Sequence, residues 1–319
     1  MQTIILTQSQ IQSLVTMDRV IPVVEEAFLT YGNGDYQMPA KVYLSLPDYN
    51  GDFRAMPSYA KQISGIKWVN SHPDNPKKHN IPSVMGVYIL SDPATAKTLA
   101  IMDATYLTAL RTGAAAAVAS KYLAPHSPQS LGLVGCGVQA RMFIISHQVL
   151  FGNSLPLYMA DKNPNACEQL VREFGGTIVS TEKAASCDIV CTSTPSHQPV
   201  IQKEWCKSGS HINAMGADAP GKQELDSELL ATSKVVIDDF SQASHSGEIN
   251  VPLAKGILKK ESIYANLGEI VSGKKAGRKG NEITIFDSTG LAIQDVFVAN
   301  LIYTLAQEKK IGLSIDLRS

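Results

Sequence analysis

Small residues recur at a fixed spacing in the segment Gly135-Cys136-Gly137-Val138-Gln139-Ala140, which directly follows the apolar run 131–134. Between a strand and a helix, the pattern G-x-G-x-x-A is typical of a loop that binds the pyrophosphate of a dinucleotide. Gly135 permits the tight turn, Gly137 lets the phosphates approach the backbone, and Ala140 keeps helix and strand close. The amides that open the helix, from Val138 onward, favour a bound anion. The segment therefore predicts a dinucleotide cofactor.

An acidic residue stands where the ribose of such a cofactor would lie. Asp161 ends the next apolar run, 26 residues after Gly135, and a carboxylate there accepts hydrogen bonds from the ribose hydroxyls, which favours NAD. Lys162 follows at once and could pair with a 2′-phosphate, so NADP stays open. Thr192 and Thr194 end a later strand, and we expect their hydroxyls to contact the cofactor because ligands gather at the carboxyl ends of parallel strands.

Four charged side chains in apolar or small-residue surroundings are candidates for substrate binding and proton transfer. Arg54, Lys67 and Arg111 are the cations. An arginine between apolar residues and a glycine, as Arg111 is, suits bidentate capture of a carboxylate or pyrophosphate. A lone lysine in a strand more often extends to water, so the residues alone leave Lys67 undecided. Asp218 follows a predicted strand among small residues that leave room for a ligand.

The elements that must position these residues follow two patterns. The N-terminal third mixes helix and strand, whereas strands alternate with helices from residue 130, which predicts βαβ units and a parallel sheet. We expect an α/β fold with a doubly wound parallel Rossmann sheet at 119–291, and a discontinuous α+β domain at 1–118 and 292–319. The predicted strands are 42–46, 66–69, 85–90, 131–134, 155–159, 177–179, 188–191, 210–215 and 235–238, and the predicted helices are 17–31, 103–123, 138–151, 164–174 and 291–307.

Composition excludes several classes of protein. The 28 basic and 29 acidic residues of the 319 nearly balance, so we expect neither nucleic acid nor an anionic membrane as a partner. No apolar run approaches the roughly 18 residues of a membrane span, and the N-terminus does not resemble an export signal, so we expect a cytoplasmic protein. The five cysteines are an odd number in apolar surroundings and predict reduced thiols without a metal site. The basic run 272–280 is interpreted as a solvated loop.

Five segments in order, 65–75, 110–116, 135–141, 212–225 and 287–295, resemble the ornithine cyclodeaminase and mu-crystallin family, and the resemblance covers nearly the whole chain. It implies a nicotinamide cofactor and a homodimer. It also implies that the α+β domain, assembled from both chain ends, binds substrate and dimerises, while the Rossmann domain lies between those ends in the sequence. Family members include cyclodeaminases, alanine dehydrogenases, cyclic ketimine reductases and a hormone-binding crystallin.

The resemblance also implies roles for single residues. Lys67 is similar to the lysine that contacts the substrate carboxylate and the reacting nitrogen, Arg111 to the arginine shared by carboxylate and cofactor, and Asp218 to the acid/base aspartate. Lys41 and Ser83 stand where cyclodeaminases have an arginine for the carboxylate and a threonine near substrate. We also expect Thr112, beside Arg111, and Val138 to contact the cofactor. The positions similar to those that line the dinucleotide are Gln139, Asp161, Met215, Lys222 and Ser288.

Arg54 departs from the cyclodeaminase pattern, which has a glutamate just before the Met-Pro at this place. A guanidinium near the second ammonium of a diamino acid would be repulsive, so the substitution favours a substrate with one carboxylate and an uncharged tail, to which Arg54 would add a contact. The sequence therefore predicts NAD(P)H-dependent reduction of a cyclic α-imino acid, foremost Δ1-pyrroline-2-carboxylate to L-proline. Alanine dehydrogenase, ornithine cyclodeaminase and a crystallin-like binding protein without turnover remain the alternatives.

Overall fold

The computed structural model describes residues 2–318, and the chain divides into two compact units. The first unit comprises Met1–Arg111 and Leu291–Ser319, and the second comprises Thr112–Gly290. The predicted boundary at residue 118 and the division of the contacts after Arg111 both fall within the uninterrupted helix Ala104–Leu123. The alanines that continue this helix favour helix on both sides of the boundary, so the local pattern carries no sign of it.

The first unit is an α+β arrangement around a mixed sheet. The strand order is β16-β1-β7-β6-β5-β4-β2, with β3 also paired to β4, and only the β1–β7 pair of these described strands is parallel. The strands are β1 (Gln2–Leu6), β2 (Tyr36–Gln37), β3 (Val42–Leu46), β4 (Gly51–Ala60), β5 (Ile63–Ser71), β6 (Gly86–Ser91), β7 (Thr98–Asp103) and β16 (Leu313–Asp316), and the helices are α1 (Gln8–Leu14), α2 (Met17–Asn33), α3 (Asn75–His79), α4 (Ala104–Leu123) and α12 (Ala292–Lys309).

Strand β4 was missed at the sequence level because Pro57 stands in its middle, where proline argues against a central strand. The register explains why proline is tolerated. On one side β3 pairs as far as Ala55 and β2 pairs from Tyr59, so within residues 2–318 neither strand pairs with residues 56–58. On the other side Pro57 stands opposite Ile66 of β5.

The two faces of this sheet have different environments. Strand alternation puts Met56 and Lys67 on the inner face, where α12 packs against β4 and β5. Helix α12 is buried along most of its length and also packs on α2, so the inner face and the two helices form the core. The opposite face exposes large apolar residues, with Trp68 43% and Val87 44% accessible.

The second unit confirms the parallel sheet. Its strand order is β10-β9-β8-β11-β12-β15-β13-β14, and every pairing among these described strands is parallel. The strands are β8 (Leu131–Val134), β9 (Leu157–Ala160), β10 (Thr177–Ile178), β11 (Ile189–Thr192), β12 (His211–Ala214), β13 (Lys234–Ile237), β14 (Ile263–Asn266) and β15 (Thr284–Asp287), and the helices are α5 (Val138–Phe151), α6 (Pro164–Phe174), α7 (Thr181–Ala185), α8 (Ser227–Thr232), α9 (Phe240–Ser246), α10 (Asn250–Ala254) and α11 (Leu267–Val271).

The carboxyl ends of five strands lie in one row. Val134 pairs in register with Ala160 and Thr192, Thr192 with Ala214, and Ala214 with Asp287. The loops that follow these residues therefore leave the same edge of the sheet, which is the edge at which open parallel sheets bind ligands.

The basic run 272–280 is more than a solvated loop. The guanidinium of Arg278 donates hydrogen bonds to the backbone carbonyls of Leu123, Ser210 and Glu282. It thereby ties the loop to the rest of the second unit. All five cysteines are free thiols, and no helix within residues 2–318 is long and apolar enough to cross a membrane.

Candidate active site

The first unit buries an ion pair between a strand and a helix. Lys67, on the inner face of β5, is 1% exposed, and Asp295, in the first turn of α12, is fully buried. The Lys67 Nζ donates to Asp295 Oδ1 at 2.9 Å and lies 2.9 Å from Oδ2. Lys67 therefore does not extend to water, which was the alternative that the residues alone left open.

Arg111 joins the same carboxylate from helix α4. Its Nε lies 3.2 Å from Asp295 Oδ1, and its Nη1 donates to the Gln294 Oε1 at 3.4 Å. Two cations thus share one buried carboxylate, and the cluster carries a net charge of +1 when all three groups are ionised. A monocarboxylate ligand would neutralise it.

The surroundings of the cluster shift the pKa of Lys67 towards neutral pH. Burial lowers the pKa of Lys67 to about 7, the charge of Asp295 opposes this effect, and the positive charges of Arg111 and Lys41 add to it. Burial, with the charge of Asp295, raises the pKa of the adjacent Tyr88 well above its ordinary value, so its hydroxyl stays neutral. A lysine poised near neutral pH can change its protonation state during turnover.

The remaining predicted substrate residues lie in the same unit. The guanidinium of Arg54 forms a bidentate ion pair with Asp52, with Nε–Oδ1 at 2.8 Å and Nη2–Oδ2 at 2.9 Å, and it lies over the ring of Tyr43. Lys41 directly precedes β3, and Ser83 precedes β6 in a loop held by backbone bonds to β5. The roles of Arg54, Lys41 and Ser83 in substrate binding stay predictions.

The fingerprint loop of the second unit has the geometry that a pyrophosphate requires. Gly135 adopts φ +91° and its N–H donates to the Ala160 carbonyl, so the turn after β8 is tight. Gly137 caps α5 with extended backbone, and a Cβ built on it meets no atom within 4 Å. The Gln139 Oε1 is buried without a hydrogen-bond partner within residues 2–318. The space at Gly137 and the unpaired amide oxygen both fit a bound dinucleotide.

The carboxylate of Asp161 accepts backbone hydrogen bonds, one of them from the fingerprint loop. Its Oδ2 accepts the N–H of Cys136 at 2.6 Å and its Oδ1 accepts the N–H of Asn163 at 2.7 Å. A carboxylate offers about four acceptor positions, so both oxygens keep capacity for ribose hydroxyls. Lys162 is exposed beside it.

Asp218 and Lys222, predicted to serve proton transfer and cofactor binding, form an ion pair. The Lys222 Nζ donates to Asp218 Oδ1 at 2.5 Å. Their loop follows β12 and is fixed by Asn250, whose side chain bonds the Gly221 N–H and the Lys222 carbonyl. The acid and its partner therefore lie at the carboxyl edge of the sheet on a braced loop.

A chain of buried carboxylates lies behind that edge. Glu224 accepts hydrogen bonds from the Thr192 hydroxyl and from the N–H groups of Thr194 and Gly216, all at 2.6–2.8 Å. Its own N–H donates to Glu248, and the N–H of Glu248 donates to Asp287. Burial raises the pKa of Glu224 and Glu248, and raises that of Asp287 to about 8.

The hydroxyl of Thr192, one of the predicted cofactor contacts, donates to Glu224, and the residue is fully buried. Thr192 therefore helps to hold the neighbouring loop, and its contact with a cofactor stays a prediction. The Ser288 hydroxyl likewise donates to Asp238 at 3.2 Å, although the residue follows β15 at the expected edge. Thr194 and Met215 follow β11 and β12 there, whereas Thr112 lies on α4 and Val138 is exposed at the start of α5. Their contacts with a cofactor stay predictions.

Asp295, Gln294, Tyr88, Glu224 and Glu248 were not assigned a role from the sequence. A signal existed for Asp295, because a carboxylate in an otherwise apolar helix must be paired if it is buried. Its partner lies 228 residues away in the chain, so the pairing itself could not be inferred from spacing.

A dinucleotide fingerprint in one unit and a buried Lys–Asp–Arg cluster in the other define a dinucleotide-dependent enzyme. The chain belongs to the ornithine cyclodeaminase/mu-crystallin family, whose profile matches residues 1–310, and this confirms the resemblance seen in the sequence. It is 48% identical to the alanine dehydrogenase of Archaeoglobus fulgidus, over 99% of this chain and 98% of that protein.

Two solved structures agree with this assignment. A structure described as an archaeal alanine dehydrogenase dimer with bound NAD has a TM-score of 0.95 and 47% identity, covering 99% of this chain and 100% of its own. The Δ1-pyrroline-2-carboxylate reductase of Thermococcus litoralis, in complex with NADH and L-proline, has a TM-score of 0.94 and 35% identity. The match covers 98% of this chain and 100% of that chain.

Proposed function

We propose that this protein is an NAD(H)-dependent reductase that converts a 2-imino acid with one carboxylate into the corresponding L-amino acid. The observation that carries the proposal is the buried cluster of Lys67, Arg111 and Asp295, whose net charge of +1 with Lys67 protonated complements one carboxylate. Buried charges are costly unless they are paired, so a cluster left with one excess charge is expected to bind an anion.

Each group has a defined task in the proposed reaction. Lys67 and Arg111 donate hydrogen bonds to the substrate carboxylate and orient the imine. Asp218 carries the proton that the substrate nitrogen gains or loses, and Lys222 holds its carboxylate in place. A nicotinamide coenzyme, when bound, would supply the hydride for reduction of the imine carbon. Gly137, Gln139 and Asp161 would hold the dinucleotide.

Alanine dehydrogenase is the first candidate, with pyruvate and ammonia supplying the imine. The 48% identity to the enzyme of Archaeoglobus fulgidus supports it and reverses the order that the sequence suggested. Reduction of Δ1-pyrroline-2-carboxylate is the second, supported by the likeness to the Thermococcus litoralis structure. The argument that Arg54 repels the second ammonium of ornithine is weaker than expected, because Arg54 and Asp52 together carry no net charge.

Asp161 supports NADH over NADPH as the coenzyme. Its fixed carboxylate suits the free hydroxyls of NAD and repels a 2′-phosphate. Lys162 is exposed and forms no ion pair within residues 2–318, so an attraction for the phosphate would rest on a solvent-screened surface charge.

We also propose that the protein is a homodimer through the outer face of the first sheet. Large apolar residues are exposed there, and the stacked rings of Phe53 and Trp68 line a groove of about 600 Å³ on it. The relative described as a dimer supports a second copy as the occupant. Light scattering should give twice the chain mass of 34.3 kDa, and a Trp68→Glu variant should shift towards the monomer.

The test of function follows the absorbance of NADH and NADPH with pyruvate plus ammonia and, separately, with Δ1-pyrroline-2-carboxylate. Ornithine with NAD is assayed for proline and ammonia. We expect rapid NADH oxidation with an imine substrate and its loss in Lys67→Ala. Lys61→Ala, which changes an exposed lysine of the same unit, is the matched control and should keep activity. Ornithine turnover without imine reduction would overturn the proposal.

A further inference from the structure

The carboxylate of Asp295 is the point at which the two substrate-binding cations meet. Lys67 reaches it from strand β5 and Arg111 reaches it from helix α4, whereas Asp295 itself lies on α12. Three elements separated in sequence thus depend on one fully buried group. Its first-turn position in α12 places it near the positive end of the helix dipole, which stabilises an anion there.

We propose that Asp295 is a positioning residue of the substrate site: it aligns the Lys67 ammonium and the Arg111 guanidinium on one carboxylate and favours the ammonium form of Lys67 for substrate binding. The inference rests on the proposed function, because it concerns how the same site holds its substrate.

The groups that face Lys67 make the role of Asp295 specific. Arg111 and Lys41 are positive and disfavour a second positive charge, burial acts in the same direction, and the Tyr88 hydroxyl stays neutral. Asp295 is the neighbour that favours the ammonium. Without it, burial and the charges of Arg111 and Lys41 favour the neutral amine, which cannot form an ion pair with a carboxylate.

A purely structural role is the alternative, because the ion pair also joins α12 to the sheet. Ser58 of β4 provides a comparison, since its hydroxyl donates to the Ala292 carbonyl of α12 at 2.8 Å. Ser58→Ala therefore loosens the same helix without removing a charge. If Asp295 has only a structural role, Ser58→Ala and Asp295→Asn should affect the protonation of Lys67 similarly. The proposed role predicts that only Asp295→Asn changes it.

The decisive measurement is the protonation of Lys67 in the free protein. The protein is labelled with ε-¹³C-lysine, and the NMR signal of Lys67 is assigned by its absence in Lys67→Arg. The chemical shift of this signal is then followed against pH. We expect a midpoint near 7 in the parent, a fall of at least about one unit in Asp295→Asn, and no change in Ser58→Ala. An unchanged midpoint in Asp295→Asn would overturn the proposal.

Kinetics supply the second readout. Asp295→Asn should raise the KM for the imino acid at least tenfold at pH 7.5 and leave the KM for NADH within twofold. Asp295→Glu keeps the charge but moves it by one methylene, so it should retain the Lys67 midpoint near 7 and still raise the substrate KM. An unchanged substrate KM in Asp295→Glu would refute the alignment role, even if Asp295→Asn does not fold.

The two proposals fail in different ways. If no imino acid is reduced, the proposed function is wrong, and the titration of Lys67 still decides whether Asp295 controls its charge. If imine reduction is found but the midpoint does not move, the function stands and the role of Asp295 is wrong.

Discussion

Replacing Gly137 by alanine should abolish tight coenzyme binding without harming the fold. Its backbone has φ −83° and ψ −159°, which alanine adopts freely, and a Cβ there meets no atom within 4 Å. Alanine also reduces the entropy of the unfolded chain, which favours folding by about 0.4–1 kcal/mol at a compatible site. We therefore expect a midpoint of thermal unfolding equal to that of the parent or slightly higher.

The same methyl group occupies the space through which a pyrophosphate approaches the helix. Loss of one charge-assisted hydrogen bond from an N–H to a phosphate costs about 1.5–3 kcal/mol, which lowers the affinity by roughly 10- to 150-fold. Titration calorimetry with NADH measures this directly. Equal NADH affinity of Gly137→Ala and the parent would refute the placement of the pyrophosphate at this loop.

Gly135→Ala is the matched control with the opposite expectation. At φ +91° an alanine is strained by about 1–2 kcal/mol, and its Cβ would lie 2.8 Å from the Ser193 carbonyl oxygen. A destabilisation of about 2 kcal/mol lowers the unfolding midpoint by roughly 4–8 °C in a unit of this size. The pair of variants thus separates the glycine that the fold requires from the glycine that the ligand requires.

Three further predictions concern the second unit. Asp161→Ser should lower the preference for NADH over NADPH at least tenfold, measured as the ratio of kcat/KM values, because it removes the charge that repels a 2′-phosphate. Glu224→Gln replaces one carboxylate oxygen by an NH2 group, which faces at least one of the three donors that Glu224 accepts. It should therefore raise the KM for NADH and lower the unfolding midpoint, whereas the exposed change Glu168→Gln should do neither. The Asp287 carboxyl keeps its proton to about pH 8 when folded but releases it near 3.8 when unfolded. Its contribution to stability therefore falls as pH rises from about 4 to 8, and Asp287→Asn should flatten that decline in urea unfolding.

The fold of the second unit could be predicted from the sequence because its signals are local. Helices 138–151 and 164–174 and strand 131–134 begin and end as expected. Each is bounded by glycine, proline or asparagine, so the boundary lies in the residues themselves. Strand β15 was missed, since the basic, glycine-rich run 272–280 precedes it in place of a helix pattern.

The candidate site was predictable only in part, because only some of its residues are marked by local signals. Gly135, Gly137 and Asp161 follow a spacing that a single βαβ unit imposes, so a linear pattern reveals them. Arg54 could be identified as a charged residue in an apolar segment, but its neutralisation by Asp52 depends on the side chains meeting in space. The partner of Lys67 depends on packing between β5 and a helix near the other end of the chain.

The two units bury titratable groups in different ways, and the difference argues for function in both. The second unit holds carboxyl groups whose pKa values are raised by burial, and backbone amides donate hydrogen bonds to them at the edge where the predicted cofactor loops leave the sheet. The first unit holds a cluster of mixed sign with one positive charge in excess. Apolar residues of similar volume would often serve stability as well as buried ion pairs do or better, so packing alone does not account for either arrangement. The loops at the edge of the second sheet suit an anionic dinucleotide, and the cluster in the first unit is short of one negative charge when Lys67 is protonated; together they support the proposed reduction of a monocarboxylate substrate by a nicotinamide coenzyme.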